Sequence, residues 1–184
     1  MKLRLPVILV LFFVLVLHAF ADFQTALDAY NNKDSATALK EFQPLAEQGD
    51  ARAQYYLGDL YGVGDGVSQN DAEAEKWFQL ALENLPKLAE KGDAEAQYEL
   101  GLMSYDWGGY YGIPFDVKEI VKWWTMAAEQ GHVEAQKGLG EVYYYGEEGV
   151  PKDYKEAAKW YRMAAEQGDK EARDLIYFLN LLNR

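Results

Sequence analysis

Residues 46–58 read AEQGDARAQYYLG, and nearly the same phrase returns further along the chain. It recurs as AEKGDAEAQYELG at 89–101 and as AEQGHVEAQKGLG at 128–140, and half of it stands at 165–172 as AEQGDKEA. A catalytic site needs one set of groups in one place, so this repetition favours architecture over chemistry. The glycines after AEQ or AEK lie 43, 39 and 37 residues apart, and such periods are typical of stacked helical repeats.

The centre of the phrase predicts the end of one helix and the start of the next. Gly49, Gly92, Gly131 and Gly168 stand where glycine can adopt the left-handed conformation that closes a helix. An aspartate follows in three copies, and its short side chain can accept hydrogen bonds from the first free N–H groups of the next helix. His132 takes this place in the third copy, so it is predicted to be a helix cap rather than a metal ligand or a catalytic group.

Each unit is predicted to contain two helices, because apolar residues recur at helical spacing on both sides of a connecting loop. The second helix carries a tryptophan at one shared position: Trp77, Trp123 and Trp160. The first unit is seven residues longer after its tryptophan than the later units, which makes ENLPKLA, near 84–90, an insertion. Seven residues are close to two helical turns, so we expect a longer helix bent at Pro86, or two short helices.

The repeated pattern resembles the Sel1-like repeat, a relative of the tetratricopeptide repeat. AQYYLGDLYGVGDGV at 53–67 is similar to the first half of that repeat, and GVPKDYKEAAKWYRMAAEQG at 149–168 to the second half. The resemblance covers Ala51 to Asp169 in three units. It implies an all-α protein, a right-handed α/α solenoid of helix-turn-helix repeats with helical caps, used for protein–protein interaction.

On this interpretation the chain consists of a leader, a helical cap, three repeats and a second cap. The predicted segments are a signal peptide (1–21), a tetratricopeptide-like helix pair (22–50), repeats at 51–92, 93–131 and 132–168, and a C-terminal capping helix (169–184). In the last helix Leu175, Ile176, Leu179 and Leu182 are predicted to cover the final repeat. Its other apolar residues could instead hold a partner or a second copy.

The first residues have the features of a signal peptide. Lys2 and Arg4 precede an apolar run from Leu5 to Leu17, and Ala19-Phe20-Ala21 offers small residues to a signal peptidase. We expect cleavage before Asp22 and export to a bacterial periplasm, or secretion beyond it. An uncleaved anchor is the alternative, but the run is shorter than the roughly 20 residues that span a bilayer, so no stable membrane insertion is expected after cleavage.

The chain is strongly acidic, with 30 acidic and 18 basic residues and a net charge of -12. Loss of Lys2 and Arg4 with the leader would leave 16 basic residues and a net charge of -14. Nucleic acid and anionic lipid would be repelled, so neither is expected as a partner. A basic protein would be attracted, and solubility alone is the other interpretation. The oligomeric state does not follow from the sequence.

Stacked helical repeats bind partners on a concave face, which is lined by outward positions of the first helices. By repeat position these side chains are Arg52, Tyr55, Asp59, Glu95, Tyr98, Glu99, Leu102, Glu134, Lys137 and Glu141. The mixture of acids and tyrosines suits a basic or amphipathic segment of another protein. For Tyr55 and Tyr98 a place in the core is the alternative.

The loop SYDWGGYYGIPF (104–115) adds Trp107, Tyr110 and Tyr111 to the candidate partner-binding residues. Aromatic side chains dominate interface hot spots, so this could be an exposed recognition loop. The aromatic rings could equally fill the gap at Ser104, where the other repeats have tyrosine.

Residues suited to catalysis are scarce. The chain has no cysteine and one histidine after the leader, and zinc-ligand spacing is absent. None of its serines lies in a nucleophile motif. GDGVSQNDAE (64–73) faintly resembles a calcium loop, but its counterparts GIPFDVKE and GVPKDYKE indicate an ordinary turn before a helix. We therefore expect no enzymatic activity, no cofactor and no metal. Some cysteine-rich secreted members of the Sel1-like family are associated with β-lactam binding or hydrolysis, but their disulfides cannot form here.

The predicted function is that of an exported adaptor or scaffold that binds another protein through the concave face and the 104–115 loop. The alternative is a periplasmic immunity or inhibitor protein that neutralises a basic toxin or hydrolase, which the acidic charge favours. A β-lactam hydrolase is the remote alternative.

Overall fold

The computed structural model describes residues 23–182, so the leader predicted for 1–21 lies outside the described residues. Within 23–182 the chain forms nine α-helices and no β-strand, only an isolated bridge between Glu147 and Val150. The helices are α1 (23–31), α2 (Ser35–Glu47), α3 (Ala51–Val63), α4 (Asp71–Ala89), α5 (Ala94–Trp107), α6 (Val117–Glu129), α7 (Val133–Tyr145), α8 (Tyr154–Glu166) and α9 (Lys170–Leu182). None of these helices is long and apolar enough to cross a bilayer.

The chain divides into two compact units, and the division falls inside α4 between Ala81 and Leu82. The described part of unit 1 holds α1 to α3 and the first part of α4, and α2 packs against α3 there. Unit 2 holds the rest of α4 and the helices α5 to α9. From α5 onward, each helix packs against the next one along the chain.

The helix ends confirm the predicted turn between successive helix pairs. The four glycines have positive φ angles of 93° at Gly49, 92° at Gly92, 95° at Gly131 and 103° at Gly168. The residue after each glycine accepts a hydrogen bond from the first turn of the next helix; these caps are Asp50, Asp93, His132 and Asp169. One helix therefore ends and the next begins within two residues.

The glutamines of the phrase connect one helix pair to the next. In unit 2 the buried Gln97 donates its side-chain amide to the carbonyl of Ala89, 2.9 Å away at the end of α4. Its amide oxygen accepts a hydrogen bond of 2.8 Å from Gln130, which belongs to the following AEQ phrase. Gln136 repeats both contacts one helix pair later. These bonds satisfy polar groups that would be costly to bury alone.

The second glycine of the phrase makes room for an aromatic ring from the following helix. The pairs are Gly58 with Phe78, Gly101 with Trp124 and Gly140 with Tyr161. A methyl group at Gly58 would lie 2.6 Å from the Phe78 ring, which is too close for any carbon contact. Tyr177 takes the glycine's place in α9 and is 66 % exposed, so α9 cannot receive a following helix in this way.

The insertion near 84–90 is absorbed by α4 as a single longer helix. This helix has 19 residues, whereas α6 and α8 have 13 each, and Pro86 lies inside it. Leu85 and Ala89 remain buried, so the added turns keep the apolar face of the helix. Of the two forms that the sequence predicts, the structure has the continuous helix.

Candidate functional site

A cleft of about 180 Å³ lies in unit 2, on the side formed by the first helices of successive pairs. Its walls come from α5 and α7, with further residues from α6 and α9. The lining residues are Tyr98, Leu102, Tyr105, Asp106, Trp124, Glu134, Lys137, Gly138, Glu141 and Glu171.

The floor of the cleft depends on Gly138, which has no side chain and so leaves room for the Trp124 ring. Counted from the capping glycine, the same position is Tyr56 in α3 and Glu99 in α5. A methyl group at Gly138 would lie 2.7 Å from the Trp124 ring, so the ring fills the space beneath the glycine and both line the floor. The indole N–H of Trp124 donates to the carbonyl of Tyr98 at 3.0 Å, which fixes the ring in place.

Two tyrosines of α5 form an aromatic wall beside this floor. The ring centroids of Tyr98 and Trp124 are 6.2 Å apart, and those of Tyr105 and Trp124 are 5.4 Å apart. Burial raises the pKa of the Tyr98 phenol, and the nearby charges of Glu134 and Asp106 raise it further. Burial and then the charges of Glu147 and Glu141 also raise the pKa of Tyr105. Both rings therefore stay neutral at physiological pH.

Lys137 is committed to an ion-pair network at the edge of the cleft. Its Nζ lies 2.8 Å from Glu171, 3.3 Å from Glu134 and 3.8 Å from Asp169, and 17 % of its side chain is exposed. Burial lowers the pKa of Lys137, but the hydrogen bond to Glu171 and the charges of Glu134 and Asp169 outweigh it and raise the pKa to about 12. Lys137 is thus a permanent cation whose charge is already compensated.

The other charged side chains of the lining are acidic. Four carboxylates, those of Asp106, Glu134, Glu141 and Glu171, line the cleft with Lys137 as its one lysine. Burial raises the pKa of Glu141 above its ordinary value of 4.5, and the charge of Glu171 raises it further, while Lys137 acts in the opposite direction. The cleft therefore has a surplus of negative charge and would favour a positively charged group.

His132 lies next to the cleft and confirms its predicted role as a cap. Its Nδ1 accepts a hydrogen bond of 3.2 Å from the backbone N–H of Ala135. Its Nε2 lies 3.2 Å from a carboxylate oxygen of Glu95, and its ring stacks on Tyr98 at 4.4 Å. A neutral imidazole with its proton on Nε2 makes both hydrogen bonds at once.

Replacing His132 with alanine should lower the free energy of unfolding by about 1–2 kcal/mol, because α7 loses its cap. Glu95 also loses its partner. His132→Asp should recover most of this loss, since aspartate caps the equivalent helices. Urea unfolding followed by circular dichroism would measure both variants. An alanine variant as stable as the parent would contradict the role of the cap.

Replacing Glu141 with glutamine should stabilise the fold slightly near neutral pH. The raised pKa means that the folded state favours the protonated carboxyl, so its stabilising contribution is complete below pH 4.5 and is lost as pH rises through the folded-state pKa. Glutamine mimics the protonated form. Because Glu141 is exposed to solvent, we expect a gain of only a few tenths of a kcal/mol.

The control for this prediction is Glu129→Gln, which removes one carboxylate from an exposed position on α6. Urea unfolding near neutral pH should show a gain for Glu141→Gln alone, and the gain should shrink as the pH falls below 4.5. An equal gain in both variants would mean that total charge, rather than the cleft, sets the effect.

Three segments of the chain match the family model of the Sel1 repeat: residues 51–84, 94–132 and 133–169. The chain belongs to the Sel1 repeat family. This assignment confirms the resemblance stated above and, with the consecutive packing of the helices, the predicted all-α solenoid class. Sel1 repeats typically mediate protein–protein interaction, and the family is generally a non-catalytic scaffold.

Two solved structures of Sel1 repeat proteins are similar to the chain. One is a Sel1 repeat protein from Oxalobacter formigenes, 37 % identical, with a TM-score of 0.49 over 76 % of this chain and 96 % of that chain. The other is c5321, a protective antigen present in uropathogenic Escherichia coli strains displaying an SLR fold. It is also 37 % identical, with a TM-score of 0.53 over 84 % of this chain and 32 % of its own, so the match spans about a third of c5321. A comparison with curated proteins gave no match.

Five of the predicted concave-face residues line the cleft between the Sel1 repeats of unit 2: Tyr98, Leu102, Glu134, Lys137 and Glu141. Glu95 lies beside them as the partner of His132. The prediction missed Tyr105, Asp106, Trp124, Gly138 and Glu171. Glu171 could have been found, because it is the third residue after Gly168, as Glu95 is after Gly92.

Two predicted surface positions are wrong, because the structure buries their side chains. Tyr55 is 1 % exposed and packs against Tyr56 and Phe78 in unit 1, so the core alternative holds for this residue. Glu99 is fully buried at 0 % exposure. A first helix in a Sel1 array contacts neighbours on several sides, which leaves a narrower outward stripe than helical counting predicts.

The other two candidates in unit 1 make contacts with helix α1. The guanidinium of Arg52 lies 4.1 Å from the Phe23 ring centroid and 3.5 Å from Asp50. Asp59 accepts a hydrogen bond of 2.6 Å from the Tyr30 hydroxyl. These side chains join α1 to the first Sel1 repeat.

The segment predicted as the 104–115 loop begins inside helix α5, which runs to Trp107, and it combines both predicted roles. Trp107 and Tyr111 are half-buried, with ring centroids 5.4 Å apart. Tyr111 has a φ of 51°, a left-handed conformation that is uncommon for a tyrosine. Tyr110 is 67 % exposed and Phe115 is 52 % exposed. The first pair packs within the loop, and the second pair offers aromatic surface to solvent.

Proposed function

We propose that the protein is an exported protein–protein interaction module that binds a basic segment of a partner protein over the cleft of unit 2. The observation that carries this proposal is the lining of the cleft, in which four carboxylates accompany a single lysine beside aromatic rings. Complementary charge steers association and fixes the register of a bound partner. The net charge of -12 also attracts a basic partner over longer distances.

Export is supported by the composition of residues 1–21, which have the basic start, the apolar run and the small-residue site of a signal peptide. We propose the bacterial periplasm as the compartment, or secretion beyond it. Fractionation followed by N-terminal sequencing tests this. A mature chain that begins at Asp22 supports export, whereas intact chains in the cytoplasm contradict it.

Two roles are consistent with such a module. An adaptor or scaffold would hold the partner within an assembly, and an inhibitor or immunity protein would block the partner's active site. The acidic cleft favours the inhibitor when the partner is a basic toxin or hydrolase, because the same charges that attract the partner would cover its site. An activity assay of the captured partner, with and without the chain, separates the two roles.

The binding surface can be tested by chemical cross-linking and affinity capture from the producing cells, with charge-reversal variants. The cleft variant carries Glu134→Lys and Glu141→Lys. The control carries Glu129→Lys and Glu166→Lys at exposed positions on α6 and α8, so that both change the net charge equally. We expect the cleft variant to capture its partner about tenfold less well or worse, and the control to capture it as the parent does.

Circular dichroism and urea unfolding would show that both variants remain folded. Equal losses in the two variants would mean that overall charge, rather than the cleft, controls binding. Undiminished capture by the cleft variant would exclude this surface and direct attention to Tyr110 and Phe115 in the 104–115 loop.

A further inference from the structure

The size of the cleft limits what it can hold. At about 180 Å³ it is smaller than the roughly 300 Å³ at which pockets begin to enclose drug-sized ligands. It is therefore too small for a helix or a folded loop. A single long side chain of a partner fits these dimensions.

The aromatic wall of the cleft suits a flat cation. Tyr98 and Tyr105, which lie beside the buried Trp124, present aromatic surface to the interior. Cations are attracted to the faces of such rings, and arginine is found there more often than lysine. A guanidinium is planar and weakly hydrated, so it stacks on aromatic rings, whereas an ammonium keeps its water.

The carboxylates of the cleft come from several helices, so they can contact a guanidinium from more than one side. Asp106 belongs to the end of α5, Glu141 to α7 and Glu171 to α9. Within the described part of the chain Glu141 makes no ion pair, because Lys137 contacts Glu134, Asp169 and Glu171 instead. The five N–H donors of a guanidinium can bond carboxylates in more than one direction.

We infer that the cleft receives one arginine side chain of the bound partner, an inference that rests on the proposed function. The guanidinium lies against the aromatic wall and donates to Glu141 at the rim. Lys137 serves to hold Glu134 and Glu171 in place. The site thereby selects arginine over lysine as well as positive over neutral side chains.

Three short peptides that differ in one central residue test this inference on the purified protein. They are acetyl-Gly-Gly-Xaa-Gly-Gly-amide with arginine, lysine or citrulline at Xaa, where citrulline keeps the shape of arginine but has no charge. Nuclear magnetic resonance would follow the indole N–H of Trp124 and the amide of Gly138. We expect saturable shifts with arginine, roughly three- to tenfold weaker binding with lysine, and none with citrulline.

Two variants and one control, Glu129→Gln, assign the contacts. Glu141→Gln should weaken binding of both charged peptides, while Glu129→Gln, which removes a carboxylate elsewhere, should leave both unchanged. Tyr105→Leu should reduce the preference for arginine over lysine, because it removes part of the aromatic wall. Unchanged resonances elsewhere in unit 2 would show that each variant keeps the fold.

Several outcomes would overturn the inference: no saturable shift with the arginine peptide, equal affinity for arginine and lysine, or equal effects of Glu141→Gln and Glu129→Gln. These outcomes are separable from failure of the proposed function. Capture that depends on the cleft but shows no arginine preference leaves the function standing and refutes the arginine site. Arginine-selective peptide binding without any captured partner supports the arginine site and contradicts the proposed function.

Discussion

Replacing Trp124 with alanine should lower the free energy of unfolding by about 3–5 kcal/mol, the range for removing a large aromatic side chain from a core. Trp124 is 3 % exposed and lies between Gly101 and Gly138, each of which leaves room for the ring and nothing else. Its indole N–H also donates to the carbonyl of Tyr98. The alanine variant would open a cavity between α5, α6 and α7 that these helices cannot close without moving their backbones.

The matched control is the neighbouring tryptophan. Trp123 is half-buried, and the Nζ of Lys122 lies 4.6 Å from its ring centroid. Trp123→Ala should cost only about 1–2 kcal/mol, because part of its apolar surface is already in contact with water. Urea unfolding followed by circular dichroism would measure both losses. Equal losses would mean that the two rings contribute equally to the core and that the position of Trp124 between Gly101 and Gly138 adds no further stability.

This pair of tryptophans shows what repeat alignment predicts and what it misses. The alignment places Trp123 with Trp77 and Trp160, and a shared contact supports it, since each ring has the preceding lysine 4.5–4.6 Å from its centroid. The three differ in burial, however, because Trp77 and Trp160 are buried and Trp123 is not. In the middle repeat the deepest ring is that of Trp124, one residue later.

Local features of the fold followed from the sequence because their causes are local. A glycine with positive φ and a capping side chain act within a few residues, so the turn at Gly131 and His132 could be predicted from the phrase alone. The cleft could not be predicted in the same way. It depends on a missing side chain at Gly138, on a ring from α6 that fills the space below, and on charges contributed by α9. These meet only when three helices pack.

The cleft also carries a cost for stability. Glycine in a helix interior is about 1 kcal/mol less favourable than alanine, and Gly138 lies inside α7. The raised pKa of Glu141 shows that its ionised form is disfavoured in the folded state. Residues that are locally unfavourable for stability occur more often at binding sites than at positions that only support the fold.

Replacing Gly140 with leucine should destabilise the protein by about 3 kcal/mol, at the upper end of the usual cost of overpacking a core. A Cβ atom at this position would lie 2.6 Å from Cδ1 and 2.7 Å from Cζ of Tyr161, a ring that is 1 % exposed. Leucine is a better helix former than glycine, so a loss of stability can come only from the steric conflict. Glu129→Leu, at an exposed position on α6, is the control and should change stability by no more than about 0.5 kcal/mol.

The decisive comparison is a double-mutant cycle with Tyr161→Ala, which by itself should cost about 3–5 kcal/mol. If the glycine is needed to admit the ring, leucine at 140 can occupy the space that alanine at 161 vacates. The double variant should then be more stable than the sum of the single losses predicts, by about 2–3 kcal/mol, as measured by urea unfolding. Additive losses would show that the two positions act independently. In that case the second glycine of the phrase would have to be explained by backbone conformation rather than by the aromatic ring, and the same doubt would extend to Gly58 and Gly101.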